Sequence, residues 1–448
     1  MVSARQRLMA LQVGIWLIST SAAVPADEFP PVPHYGKDLH LGVATCASAT
    51  CHGGATPAPG GVVLQNEYAI WQTRDKHAGA YNLLLKAQSE RIARKLGLDS
   101  AHTADVCLDC HADNVPEARR GPRFQITDGV GCEACHGGAE NWIEVHTINA
   151  NETSHQRNLD AGLYPTDDPA TRAEVCLSCH LGDKNKFATH RLMGAGHPRL
   201  SFELDTFTAI QPAHFVVDDD YRARKPVASG TKTWAIGQAK ALPSLLEVVL
   251  DSEDGGAGLF PELALFDCHA CHRPMSAGRW QERASLGLGP GVVRFNDANL
   301  IMLRAAAGVV SPPLAQEVWR QGRALHRASQ ASAAEWRAAA KALHGTSLRA
   351  IDVLARHTFD QADCRALLDG LIKEGEQGEY IDYVAAEQTT MAIGAIVTTM
   401  REAGWMGDAE YALIEDAMAE MYDALKEDER YMPSAHLDAL QRLEKGAR

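Results

Sequence analysis

Between residues 292 and 448 the apolar positions recur three and four apart. Tyr411, Ile414, Met418, Met421 and Leu425 form one such stripe, and Ile393, Ile396, Val397 and Met400 form another. Side chains at this period lie on one face of an α-helix and bury together. The segment is rich in Ala, Leu, Glu and Arg, and Ser311-Pro312-Pro313 and Gly404 punctuate it. It predicts five or six helices packed as a bundle. Cys364 shares an apolar face with Leu367, Leu368 and Leu371, which reads as a buried free thiol. His326, His344 and His357 read as surface residues of these helices.

Residues 46–272 show little continuous apolar periodicity. "LGDKNKF" (181–187), "VVDDDYRARKP" (216–226) and "DSEDGGAGLFPE" (251–262) read as loops. The expected fold class is mainly α, with little β and many loops, plus the C-terminal helical bundle. What could hold the loop-rich region together is set by its cysteines.

Ten of the eleven cysteines fall in pairs: Cys46/Cys51, Cys107/Cys110, Cys132/Cys135, Cys176/Cys179 and Cys268/Cys271. After each pair the next residue is histidine: His52, His111, His136, His180 and His272. C-x-x-C-H is the attachment signature of c-type haem. Two sulfurs about one helical turn apart reach the porphyrin edge, and the adjacent imidazole binds iron axially. Each motif is therefore expected in a short helix. Zinc ribbons and disulfide frameworks need no histidine after each pair, and five such coincidences would occur about once in ten million. The first motif, "CASATCH", has four residues between its cysteines instead of two. It is read as a widened haem site. The expected cofactors are five covalently bound haem c groups, with the porphyrins replacing much of the side-chain core.

The N-terminus agrees with this chemistry. Arg5 and Arg7 precede the short apolar stretch 8–23, and "VPA" at 24–26 places small residues before a cut at Asp27. The stretch is shorter than a spanning helix requires. An exported, soluble, periplasmic protein is expected. The net charge of −14 argues against a nucleic-acid surface. The small cluster Arg119, Arg120 and Arg123 reads as a solvated loop, with haem propionates as its functional alternative.

Each iron has a second axial position. Histidine there gives a low-potential electron-transfer centre, methionine raises the potential, and an empty position invites chemistry. Histidine is dense over residues 72–214. The distal candidates are His77, His146, His190, His197 and His214. His102 and His155 also lie near the motifs. His269, inside "CHACH", is expected to point away from its own haem, and Met193 is expected in a core rather than on iron.

Over residues 43–183 the order and spacing resemble the tetrahaem cytochrome c-554 family, the electron acceptor of hydroxylamine oxidoreductase. The matching features are the Trp71-to-Ala78 stretch with its histidine, "CLDCHAD", "GVGCEACHGG" with a histidine about ten residues on, and "VCLSCHL". The resemblance implies a closely stacked haem array passing electrons in the periplasm, with His77 and His146 as distal ligands. It also implies a second haem (Cys107, Cys110, His111) lacking a sixth ligand. The chain departs from the family in its widened first motif, fifth haem and long C-terminal region. It also lacks the family's histidine just before the fourth motif. The fourth haem's ligand must come from elsewhere, with His190 and His197 as candidates, and the same two could close the second haem.

The division expected is a signal peptide over 1–26, a pentahaem domain over 27–290 and a helical domain over 291–448 that covers one side of the array. A docking or dimerising role is the alternative for that last part, so homo-oligomerisation stays compatible with the sequence. No C-x-x-C-K variant occurs, and the motifs do not number eight. Both facts favour an electron carrier over a redox enzyme with one five-coordinate haem acting on a small nitrogen or sulfur compound. Expected partners are redox proteins: a quinol- or dehydrogenase-linked donor and a terminal acceptor. No nucleic acid and no membrane span after signal cleavage are expected.

Overall fold

The computed structural model describes residues 30–58, 63–148, 155–251, 262–272, 282–289 and 292–447. The expected signal peptide and nearly all of the expected loop 251–262 lie outside them. The protein is mainly α, with nineteen α-helices and only isolated β-bridges among the described residues.

Two kinds of packing alternate along the chain. Residues 30–228 carry short helices and turns with small apolar clusters: Tyr81, Leu84, Ala93, Ala101, Leu108 and Ala112 form one of them. From Gly230 the helices lengthen. Helix Gly230–Asp251 buries Trp234, Ile236, Leu242 and Leu246 in one large core with the helices that follow residue 297. Its neighbours are Ala298–Val310, Pro312–Ala328, Ala333–Arg356, Gln361–Glu376, Tyr383–Glu402, Asp408–Ala424 and Pro433–Ala447. That is seven helices after residue 297, not five or six. The short turns at Ser311 and at residues 425–432 each separate two helices where the apolar pattern alone suggested fewer.

The predicted stripes face this core. Ile393, Ile396, Val397, Met400, Ile414, Met421 and Leu425 are buried, with Tyr411 and Met418 packed at its edge. Cys364 is buried beside the Thr231 hydroxyl at 3.6 Å. His326 departs from expectation: it is buried, and its Nε2 lies 2.9 Å from Asp297. It belongs to a buried ionic network in which Arg283 meets Asp297, Glu379 (3.3 Å) and Asp382 (3.4 Å), while Arg294 meets Asp382 and Asp267 (3.3 Å). Charges in a low-dielectric interior persist only when paired in this way. His344 and His357 are half-buried, against Glu247 and Asp363.

One expected loop is partly helical. Asp219–Arg224 forms a short helix because Asp218 accepts from Tyr221 N at 2.8 Å and Asp220 pairs with Arg224 one turn on. Residues 181–187 are a turn, closed by a bridge between Gly182 and Phe187. Helix Leu204–Ile210 docks on the long helix where Gly237 has no side chain, since a Cβ there would lie 2.7 Å from that of Leu204. Its N-cap is Glu203, 1% exposed, which accepts from Asp205 N and Thr206 N at 2.8 Å each.

Burial pushes the Glu203 carboxyl up to about 7 in spite of those two donors. A carboxyl whose folded pKa lies above its unfolded one favours folding at low pH. That advantage is lost as pH rises from about 4.5 through about 7. Glu203→Gln is therefore expected to remove a decline in stability across this interval. Urea midpoints of the two proteins should diverge between those pH values in the variant's favour. Parallel curves would show that the carboxyl does not titrate with folding.

Candidate functional site

The five cysteine–histidine motifs sit on different backbones. The second occupies helix Asp105–His111, the third helix Cys132–His136, and the fourth ends helix Pro169–His180. That last helix is started by Pro169 and by Asp168, whose carboxylate accepts from Ala170 N and Thr171 N at 3.0 Å each. The fifth is a single 3₁₀ turn, Cys268–Ala270. The first is not helical. Its two extra residues form a turn in which Cys51 N and Gly53 N both donate to Ser48 O, and His52 N reaches back to Cys46 O at 3.2 Å. No two of the eleven cysteines are joined in a disulfide.

Each motif histidine faces one other imidazole. The ring centres of His52 and His146 are 5.8 Å apart, those of His180 and His77 6.1 Å, and those of His111 and His197 6.4 Å. His136 and His214 stand at 6.1 Å, and His272 and His190 at 6.0 Å. The five partners are the five distal candidates. A metal–imidazole bond is about 2 Å and the ring centre lies about 1 Å further, so two axial rings on one metal stand about 6 Å apart. The rings fit two axial positions of one iron in all five cases. The fourth motif faces His77, not His190 or His197. Those two turn instead to the fifth and second motifs, from the start and just beyond the end of helix His190–Ala195.

The outer ring nitrogens are oriented by the chain. His52 Nδ1 lies 2.9 Å from Glu67 Oε2, and His77 Nδ1 lies 2.8 Å from Asp75 Oδ1. His111 Nδ1 faces Ala80 O at 3.3 Å and His197 Nδ1 faces Pro198 O at 2.8 Å. An Nδ1–H donated to oxygen fixes the tautomer and leaves the Nε2 lone pair for a metal. The carboxylates raise the His52 and His77 pKa through these hydrogen bonds. Burial pushes His136 down to about 3 and His180 down to about 4, each aided by the opposed histidine. Both are thus neutral at pH 7, the form that binds metal. His146 Nδ1 is buried without a hydrogen-bond partner.

The remaining candidates have other company. His102 meets Glu90 at 3.5 Å and His155 meets Asp167 at 2.8 Å. The His269 ring turns to Tyr383 at 5.7 Å. Arg119 is not in a solvated loop. It donates to Pro33 O, His34 O and Asp38 O at 2.9–3.2 Å and lies 3.1 Å from His40 Nε2, clamping the lead segment. Arg120 donates to Val115 O at 2.8 Å.

Sequence reasoning missed Glu133, between the two cysteines of the third motif. It is 2% exposed and accepts from Leu41 N (2.7 Å), Gly42 N (2.7 Å) and Ala139 N (2.8 Å). The glycines of "GVGCEACHGG" allow this approach. Gly137 has φ +83°, and a Cβ on Gly138 would lie 2.7 Å from Asp38 O. Asp75 was legible in principle, since an acidic residue two before a histidine can accept from both its backbone and its ring.

Among the described residues no three His, Cys, Asp or Glu side chains converge as a bare metal ion requires. No described helix is long and apolar enough to cross a membrane. Residues 45–137 match the family described as cytochrome c554 and c-prime, which covers the first three motifs. Over this stretch the chain is cytochrome c-554-like. Comparison with curated proteins and with solved structures gives no match.

Glu133→Ala should strand three backbone N–H groups and so cost about 3 kcal/mol or more, at about 1 kcal/mol or more per buried unsatisfied donor. Urea denaturation would read the loss. A change below about 1 kcal/mol would mean that these donors find other acceptors.

Proposed function

We propose that this protein is an exported, periplasmic cytochrome with five covalent haem c groups that carries electrons between redox partners. The observation that carries this reading is the set of five opposed imidazole pairs at 5.8–6.4 Å. When bound, haem supplies a one-electron iron couple. The chain's part is to anchor it through Cys46, Cys51, Cys107, Cys110, Cys132, Cys135, Cys176, Cys179, Cys268 and Cys271. It would also present an imidazole to each axial position, which would keep small molecules off the metal and favour transfer over transformation. The rival reading, an enzyme with one open haem, is weakest at the second motif. There His197 stands opposite His111, where the related family leaves the position free.

Further contacts support an order for the centres. The Cys46 and Cys132 sulfurs are neighbours, linking first and third motifs, and those of Cys110 and Cys179 do the same for second and fourth. Val130 N, in the third motif's approach, donates to His77 O at 3.1 Å, and His77 is opposed to the fourth motif's His180. His190 and His197 flank one short helix and serve the fifth and second motifs. The resulting sequence is first, third, fourth, second, fifth. The haem-bearing part is residues 27–290. Residues 291–448 are its packing partner, with the 230–251 helix sunk into it. A donor and an acceptor protein of the redox class complete the path.

The mass of the purified mature protein should equal the chain from Asp27 plus five haems. Its ferric paramagnetic resonance spectrum should be wholly low-spin, and the reduced protein should not bind carbon monoxide. Crossed axial imidazoles (81–88° in three pairs) give strongly anisotropic signals, and the near-parallel His52/His146 pair (16°) gives a rhombic one, so both types should appear. His197→Ala should convert one haem to a high-spin, carbon monoxide-binding form. A high-spin fraction in the unaltered protein would favour the enzyme reading instead.

A further inference from the structure

The turn at 181–187 delivers a charged side chain into the junction of two motifs. Gly182 has φ +96°, and a Cβ there would lie 2.6 Å from Lys186 O. Asp183 fixes the turn by accepting from Asn185 N at 2.8 Å and Lys186 N at 3.1 Å, and it is held from outside by the Tyr35 hydroxyl at 2.9 Å. Lys186 is thereby turned inward and is only 8% exposed. Its Nζ donates to Asp109 O of the second motif at 3.1 Å and lies 3.4 Å from Cys179 Sγ of the fourth. Cys179 in turn adjoins Cys110.

Among the described residues this ammonium forms no ion pair, its neighbours being a carbonyl and a sulfur. Lys240, buried to a similar degree, is paired with Glu174. A buried cation ordinarily has a carboxylate partner because desolvation is costly. The carboxylates of Asp109 in the second motif and Asp183 in the turn are otherwise engaged: Asp109 accepts from Asn114 at 2.7 Å, and Asp183 holds the turn. The positive charge is left to act on what the two motifs carry.

We propose that Lys186 sets the reduction potential of the second and fourth haems. Its fixed charge, held between their sulfur attachment edges, favours the state that carries one more electron. This inference rests on the five-haem reading. One electron moves between neighbouring irons, one oxidised and one reduced, and no bond or proton changes. In the proposed order the pair lies between the third and fifth centres, so Lys186 would make it a point where an electron dwells.

The test is a visible-absorbance redox titration of the holoprotein, with haem number checked by mass. A unit charge within roughly 10 Å at an effective dielectric of about 20 alters an equilibrium about tenfold. Lys186→Met should therefore lower the midpoint of one or two haems by that factor, about 59 mV for one electron, and leave the others in place. Lys186→Arg, which keeps the cation, should stay close to the parent. Five haems with unmoved midpoints in Lys186→Met would overturn the proposal, as would a uniform shift of all five or the loss of a haem. A parent protein with fewer than five haems would instead sink the array itself, so the two failures are distinguishable.

Discussion

The opposed imidazole pair, two rings about 6 Å apart, is the constraint around which residues 30–272 are arranged. Each pair joins elements far apart in sequence, such as His52 with His146 or His111 with His197. Closing such loops costs chain entropy that must be offset by something buried. Side chains supply little of it here. Before the helix Gly230–Asp251 the apolar clusters are small, one of them Ala173, Leu177 and Leu204 with Ala241 of that helix, whereas the helical part has one extensive core. In the five-haem reading proposed above, a covalently attached planar group at each pair would supply the missing apolar contact.

Position within that framework is controlled by polar groups on the periphery. Asp75 and Glu67 orient imidazoles, Glu133 ties the third motif to residues 41, 42 and 139, and Arg119 gathers the carbonyls of the lead segment. In the proposed array Asp75 and Glu67 would turn ligands without touching the metal. Arg119 also lies against a fully buried histidine of the same segment, His40. His40 Nδ1 lies 2.7 Å from Asp113, just past the second motif.

The sequence was most readable where chemistry is local. Cysteine–histidine spacing marked all five motifs, the apolar stripes marked the buried faces of Tyr383–Glu402 and Asp408–Ala424, and histidine density marked the five opposed rings. Pairing was not readable, because which ring meets which depends on tertiary placement. The missing histidine before the fourth motif points in sequence to His190 and His197, yet the ring that faces His180 is that of His77. Lone charged residues were also opaque. Glu133, Lys186 and His326 look like surface residues in one dimension, and only burial and partners tell otherwise. Short helices such as Asp219–Arg224 were hidden for a related reason, since caps and charge pairs carry them, not apolar period.

The helical part and the fifth motif are tied more closely than their separate sequence patterns suggest. Asp267, immediately before Cys268, is held by Arg294, and Arg294 is shared with Asp382 at the start of helix Tyr383–Glu402. His269 faces Tyr383, while Arg199, just past the His197 ring, stacks on that same Tyr383 at 5.1 Å and pairs with Glu387 at 2.9 Å. One helix thus grips the chain on both sides of the junction between the second and fifth motifs. A cover that only shielded apolar surface would need no such network, since well-packed hydrophobic residues serve as well without desolvating charge. Directional ionic contacts fix orientation, and orientation is what a single 3₁₀ turn like Cys268–Ala270 cannot secure for itself.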